Sequence, residues 1–298
     1  MSDFAHLAQE MFNTPLAIHP RKAEVAMAAL AERLGITQLM RMDGSLAPMA
    51  FDDDDEFAQP TSARSRHADP GYDLVGGLGI IPVSGTLVQK TRSLRPYSGM
   101  TGYDGIRQSF LTAMVDDDVK MPVFDLSSGG GAVAGLFDLV DTIYEARGTK
   151  PIAAILAESA YSAAYVLASA VDPGRIYVPR TGGTGSNGCI CMHVDMSDAL
   201  TKAGLKVTFI TSEGADRKTD GHSEIPLSDD AYAAIKADVD AMGTLLHETV
   251  GRNRGLAASA VRGQKAATFM GADGVAAGLA DAVMAPSAAF AALLAEVA

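Results

Sequence analysis

From Leu78 to Ala285 the chain alternates short β-rich apolar runs with helical ones, and this alternation limits the possible folds more than any other feature. "LGIIPVSGTLV" (78–88), "MPVFDLSS" (121–128), "PIAAILA" (151–157), "RIYVP" (175–179), "NGCICMHVD" (187–195) and "KVTFIT" (206–211) read as strands, with "DAVMA" (281–285) as a last short one. "AVAGLFDLVDTIYEARG" (132–148), the segment opening near Ser159 to Ser162, "MSDALTKAG" (196–204) and residues 228–254 read as helices. Parallel strands need crossover helices, so the pattern predicts an α/β domain with mainly parallel strands. In such domains ligand sites form in loops beyond the carboxyl ends of the strands.

Upstream of this region the chain reads differently. Val25, Ala28, Leu30, Leu34 and Ile36 recur at helical spacing, with Pro20 suited to a first turn and Gly35 to a stop. "FDDDDEFAQPTSARSRHADPGYD" (51–73) is charged, carries prolines and has no apolar period, so its acidic run reads as a solvated linker rather than a cation site. The expected organisation is an N-terminal helical segment (1–50), an acidic flexible linker (51–73), a main domain (74–285) and a C-terminal helical tail (286–298).

Composition removes several function classes. With 36 acidic and 24 basic side chains the formal net charge is -12, and no basic patch carries interleaved aromatics, which argues against a nucleic-acid partner. Cys189 and Cys191 fall on one face of an expected strand, cannot readily bridge there, and have no further cysteine to share a metal; they read as buried thiols in a reducing compartment. The N-terminus lacks a basic region followed by an apolar core, and no window reaches the roughly 18 to 20 apolar residues of a membrane span. A cytosolic protein with no membrane span, metal or cofactor is expected.

Three loops then hold the candidate chemistry. "DLSSGGGAVAG" (125–135) runs from a buried strand through three glycines into a helix, a layout that lets backbone N–H groups face an oxyanion or phosphate. No Lys-Ser/Thr follows the glycines, so it is not a P-loop. "AESAYSAAYVLASAVDPGRIYVP" (157–179) threads Ser159, Ser162 and Ser169 through a helix of small residues. Ser159 suits an N-cap and Ser169 packing or a backbone hydrogen bond, which leaves Ser162, in the first helical turn, as the candidate nucleophile. "TSEGADRKTDGHSEIPLSDD" (211–230) carries Asp216, Arg217, Lys218, Asp220 and His222; a desolvated lysine can act as a base, although residue pattern alone supports Lys218 weakly.

Two rival motifs fare worse. Gly183-x-Gly185-x-x-Gly188 matches a dinucleotide fingerprint in letters but leads into a strand, with no acidic residue about 20 positions on. Ser162, His193 and Asp195 compose a triad, yet His193 and Asp195 lie side by side on one strand face, poorly placed as base and orienter.

The order "IPVSGTLV", "DLSSGGGAVAGLFDLVD", "ESAYSAAYVLASA", "GTGSNGCICMHVDMSDALTKAGLKVTFI", "GADRKTDGH" resembles the signal peptide peptidase A family of serine proteases, over about residues 74–285. It is most similar to the phage branch of that family, and "FNTPLAIHPRKAEV" near the N-terminus shares that similarity. The resemblance implies a ClpP/crotonase-like α/β fold of repeated ββα units and a Ser/Lys dyad without histidine. It places Ser162 as nucleophile and Lys218 as general base. Gly130, Gly131 and Ala163 become oxyanion donors, and Ser128, Gly129, Gly185, Ser186 and Asn187 line the substrate site. Gly129 stands where the family has proline and Asn187 where it has an apolar residue.

The implied function is head maturation: cleavage of phage scaffold or coat protein by a homo-oligomer, in host cytoplasm or procapsid interior. Phage-branch relatives carry a scaffold region after the protease domain, whereas here only a short tail follows Ala285. That leaves a separately made scaffold or a looser analogy. Two other classes remain open at this point, a crotonase-type acyl-CoA hydratase or isomerase and a non-catalytic capsid or scaffold component.

Overall fold

A computed structural model describes residues 14–19 and 69–298. The helix expected after Pro20, most of the N-terminal segment and the linker to residue 68 lie outside them. In chain order the elements are β1 (Leu16–Ile18), β2 (Asp73–Val75), β3 (Leu78–Ser84), β4 (Thr86–Val88), β5 (Met100–Gly102), α1 (Tyr103–Val115), β6 (Met121–Ser128), β7 (Gly130–Ala132), α2 (Leu136–Glu145), β8 (Ala153–Ala160) and α3 (Ala163–Ser169). They continue with β9 (Ile176–Val178), β10 (Gly183–Gly185), α4 (Ser197–Lys202), α5 (Asp229–Arg254), α6 (Ala258–Gly263), β11 (Thr268–Met270), α7 (Ala272–Ala276), β12 (Ala282–Val283) and α8 (Pro286–Val297).

The main sheet runs β11-β10-β8-β6-β3-β2, with β9 on β8 and β12 on β9. Its central strands β3, β6 and β8 are parallel, and β6 and β8 are buried along most of their length. Strands covered on both faces read as near-continuous apolar runs, which is why "MPVF" and "AAIL" carry no alternation. A second sheet, β1-β7-β4-β5, stands on the glycine strand β7.

Helix α2 buries Leu136, Leu139, Val140 and Ile143, one stripe at helical spacing, against the core. It starts at Leu136 rather than Ala132, because Gly130–Ala132 is extended and Gly135 takes a left-handed turn at φ 84°. Helix α3 is buried at every one of its seven residues and packs among α2, α5, β6, β7 and β8. A helix enclosed on all sides by close neighbours needs small side chains, which accounts for its Ala and Ser content.

Helix α5 opens on Ser228, whose hydroxyl caps Ala231 N–H at 3.2 Å, and ends at Gly255 with φ 67°. Its buried residues beyond Ala231 all lie in the last third, from Leu246 onward. The C-terminal tail forms α8, which buries Ala289 and Leu293 in a second apolar cluster with Leu78, Met121 and Val123.

Two expected strands are absent. Among the described residues, 187–195 have only the isolated bridge between Ile190 and Leu16, and 206–211 have no strand pairing. Both belong to an arm, residues 189–227, that carries the single short helix α4 and a 3-10 turn and is closed by Met196 N–H donating to Ser223 O at 2.7 Å. Their apolar, β-branched composition is strand-like, but a strand exists only where a ladder partner satisfies its backbone, and beyond the single Ile190 bridge the described residues place no such partner beside this arm. Leu205, Val207 and Ile210 are left exposed, Ile210 at 95%.

Candidate active site

Strand β8 ends at Ala160, and α3 begins at Ala163, so Tyr161 and Ser162 form a sharp strand-to-helix elbow. The Ser162 backbone sits at φ 54°, ψ -124°. A non-glycine residue held in this sparsely populated region costs about 1–3 kcal/mol and persists only where the surroundings enforce it. Here they do: Ser162 N–H donates to Gly185 O at 2.8 Å, and the preceding Tyr161 N–H donates to Ser128 O at 3.1 Å. The elbow is thereby pinned to the ends of β10 and β6.

Ser162 is wholly buried, and its Oγ faces the Gly188 carbonyl at 3.4 Å. The other two serines differ from it. Ser159 is not a helix cap, because β8 runs through it; its Oγ accepts Gly183 N–H at 3.1 Å and ties β10 to β8. Ser169 Oγ donates to Val166 O at 2.6 Å and accepts Asn253 Nδ2 at 3.0 Å.

The glycine turn lies against this elbow. Ser128 Oγ donates to Gly85 O at 2.6 Å and accepts Gly130 N–H at 3.1 Å. A methyl group on Gly130, where φ is 98°, would lie 3.0 Å from both Ser162 Cβ and Tyr161 O. Gly131 is flanked by Ala17 of β1 and Leu87 of β4, and a methyl there would stand 1.9 Å from Leu87 O. Gly129 O accepts His19 N–H at 2.7 Å. Ala163 opens α3, where N–H groups have no intrahelical acceptor and the helix dipole favours negative charge. Gly130 therefore lies against Ser162, with Gly131 next to it on the glycine strand and Ala163 following Ser162 in the chain.

The turn after β10 also borders the elbow. Gly185 supplies the carbonyl that holds Ser162, and Ser186, at φ 56°, donates its N–H to Ala267 O at 2.9 Å. Asn187 is 1% exposed, and neither its Nδ2 nor its Oδ1 has a hydrogen-bond partner among the described residues. Its backbone carbonyl accepts from His247 Nε2 at 3.2 Å, and burial holds the His247 imidazole below its usual pKa. A cavity of about 220 Å³ opens there, lined by Asn187, Gly188, Cys189, Thr244, His247 and Arg262 among others. Burial pushes the Cys189 thiol up to about 11, and both cysteines are free.

Lys218 is not brought to Ser162. It lies in the 3-10 turn Asp216–Thr219 on the exposed arm, beside the Arg217–Asp220 ion pair at 3.0 Å. His222 of the same arm rests on the Phe209 ring at 4.5 Å. The composed triad is not assembled either: Asp195 Oδ1 accepts Ser197 N–H at 2.9 Å, and Ser162 Oγ faces Gly188 rather than His193. Gly183–Gly185 forms a strand leading into a turn, so the dinucleotide fingerprint has no helix to open. Among the described residues no group of His, Cys, Asp or Glu could hold a metal, and no helix is long and apolar enough to cross a membrane.

Reading from the sequence missed the Gly188 carbonyl, His247, and above all β1. No residue pattern marks a backbone carbonyl or a single helical histidine as part of a site. β1 lies in "NTPLAIHP", a stretch noted only for its family likeness.

Residues 145–297 match peptidase family S49. The chain is also 36% identical over 289 residues to the capsid assembly protease C of Escherichia phage lambda, covering 94% of this chain and 63% of that protein. It is 36% identical over 282 residues to the head-tail preconnector protein GP5 of Enterobacteria phage P21, covering 94% of this chain and 55% of that one. The chain thus spans less than two thirds of the length of either relative.

Proposed function

The chain belongs to peptidase family S49, and on that premise we propose that it is a serine endopeptidase of phage head assembly with Ser162 as nucleophile and Lys218 as general base. The α/β architecture, with its parallel sheet and crossover helices, is consistent with the ClpP/crotonase-like fold of that family. The observation that carries the reading is the Ser162 elbow: a buried serine in an enforced positive-φ conformation, at a helix N-terminus, against a glycine turn.

In the proposed mechanism the Lys218 amine takes the Ser162 proton as Oγ attacks a peptide carbonyl. The oxyanion is held by the N–H groups of Gly131 and Ala163. Gly130 N–H is already committed to Ser128 Oγ, so its contribution is to shape the turn. Lys218 returns the proton to the leaving amine, and a water that it then deprotonates releases the acyl group. A single oxyanion donor is worth about 3–4 kcal/mol in such sites.

Lys218 reaches this position when the arm docks in a homo-oligomer, on the same protomer's Ser162 or a neighbour's. The exposure of Leu205, Val207 and Ile210 on that arm supports an assembled state in which they are covered. The substrates proposed are scaffold or coat segments, in host cytoplasm or procapsid interior, by analogy with the named function of the lambda relative.

The test is incubation with candidate scaffold and coat proteins, read by mass spectrometry, for the wild type, Ser162→Ala and Lys218→Ala. New termini that appear only with the wild type support the dyad. Cleavage that survives both substitutions refutes it. Mixing the two variants asks where the base comes from: recovered activity means that Lys218 serves a neighbour's Ser162.

A further inference from the structure

Strand β1 lies in the cleft between the glycine strand and the segment Asn187–Ile190, and it is gripped on both edges. On one edge Leu16, Ala17 and Ile18 pair antiparallel with Ala132, Gly131 and Gly130. On the other, Leu16 and Ile190 exchange backbone hydrogen bonds of 2.7 and 2.8 Å. Antiparallel ladders alternate bonded and non-bonded pairs, and His19 N–H donates to Gly129 O. The pair two residues along, Ala17 with Gly131, is therefore also of the bonded kind.

The Ala17 carbonyl thus takes the N–H of Gly131, one of the two donors assigned above to the oxyanion. A methyl on Gly130 would meet Ala17 O at 2.3 Å and Ser162 Cβ at 3.0 Å, so this carbonyl and the nucleophile lie on the same side of Gly130. His19 adds a ring contact at 4.8 Å to Tyr161, the residue before Ser162. Leu16 and Ile18, on the face opposite Ala17, are 5% and 6% exposed.

An extended peptide adding to an exposed strand edge gains affinity from backbone pairing and specificity from alternate side chains. β1 already uses both at this cleft. Ser162 Oγ, however, is bonded to Gly188 O, so the strand sits beside the nucleophile without engaging it.

We propose that Leu16–Ile18 is a pseudosubstrate strand, which fills the peptide cleft of the resting chain and must be displaced by a substrate segment. The proposal rests on the reading of Ser162 as the nucleophile of that cleft. It also names what the cleft selects: an extended segment with large apolar residues on either side of a small one, as in Leu-Ala-Ile. Being tethered, the strand competes at an effective concentration on the order of mM, so a micromolar peptide of similar intrinsic affinity is held off by about 10²- to 10³-fold.

Ala17→Pro in the full chain tests this, because proline removes the N–H that pairs with Gly131 and disrupts the ladder without touching the cleft walls. The expected result is a rise of about tenfold or more in cleavage of a micromolar fluorogenic peptide containing Leu-Ala-Ile. Added peptide of residues 14–19 should suppress that gain. A second arm needs no turnover: on a Ser162→Ala background, fluorescein-labelled peptide 14–19 should bind the Ala17→Pro variant about tenfold or more tighter than the parent.

Equal binding to both overturns the inference, as does a wild-type chain found cleaved between Thr14 and His19. Tighter binding with no cleavage by any variant keeps the strand in the cleft and refutes the protease reading instead. If Ala17→Pro fails to fold, hydrogen exchange on the wild type decides: slow amides at Ala17 and Gly131 support the proposal, and exchange at the free-peptide rate at Ala17 overturns it.

Discussion

Replacing Gly130 with alanine tests the elbow most directly, because its effect can be worked from contacts. Gly130 sits at φ 98°, where an alanine costs about 1–2 kcal/mol in backbone strain alone. The new methyl also meets Ala17 O at 2.3 Å, and Ser162 Cβ and Tyr161 O at 3.0 Å. The first contact can be relieved if β1 moves. The other two cannot relax cheaply, because Ser162 and Tyr161 are tied by their own N–H groups to Gly185 O and Ser128 O. Overpacking of this kind adds about 1–3 kcal/mol, for a total of about 2–5 kcal/mol. At roughly 2–4 °C per kcal/mol for a domain of this size, Tm should fall by about 4–20 °C.

Gly148→Ala is the control. Gly148 has φ 81° but nothing within 4 Å of an added methyl, so that variant carries the strain without the contacts. Thermal unfolding of both variants separates the two costs. In a peptide-cleavage assay Gly130→Ala should lose about 10²-fold in kcat, as a nucleophile displaced on the order of 1 Å would, while Gly148→Ala keeps wild-type turnover. A Gly130→Ala chain as stable and active as Gly148→Ala would refute the argument that the glycine turn sets the position of Ser162.

Ser169→Ala should destabilise by about 1–3 kcal/mol with turnover unchanged, because it strips the acceptor from the buried Asn253 amide; urea unfolding measures it. Arg254→Ala should cost about 3–5 kcal/mol by the same measurement, since its side chain is 6% exposed and its removal leaves Asp281, which also caps Ile176 N–H, without its counter-ion. His247 has its pKa held below 6.5 by burial, so the unfolded chain binds its proton more readily; stability should fall as pH drops through 6.5 toward the lowered value, and Tm against pH for His247→Gln should lose that component.

Much of the fold is legible from the period of the apolar residues. The parallel strands β3, β6 and β8 and the stripe of α2 follow from patterns that their own burial enforces. Ser162 stands out because a helix of small residues has no packing need for a serine in its first turn. Its backbone conformation is invisible in the letters, because it is imposed by Gly185 and Ser128 from other strands. The errors fall where a local signal depends on a distant partner. Residues 206–211 have the composition of a strand and no ladder among the described residues, and Ser159 sits where caps sit but serves β8. Lys218 is silent for the opposite reason: an exposed lysine in a polar turn looks the same whether or not assembly buries it, and only family likeness selects it.

The run Gly129-Gly130-Gly131 ties these points together, because its three residues meet different constraints. Read from the sequence, Gly130 and Gly131 are oxyanion donors, by family resemblance, and Gly129 lines the substrate site. In the structure, Gly130 is required by its positive φ and by the elbow pressed against it, and its N–H is consumed by Ser128. Gly131 is required by the Leu87 backbone on one side, which leaves its N–H directed to the other, toward the strand in the cleft. Gly129 presents its carbonyl to that same strand through His19. One strand edge therefore offers an acceptor at Gly129 and a donor at Gly131, the spacing that an antiparallel peptide needs to register a single carbonyl beside Ser162. On the proposed reading the motif sets a peptide register as well as an oxyanion site, and β1 pairs with the glycine strand in that register.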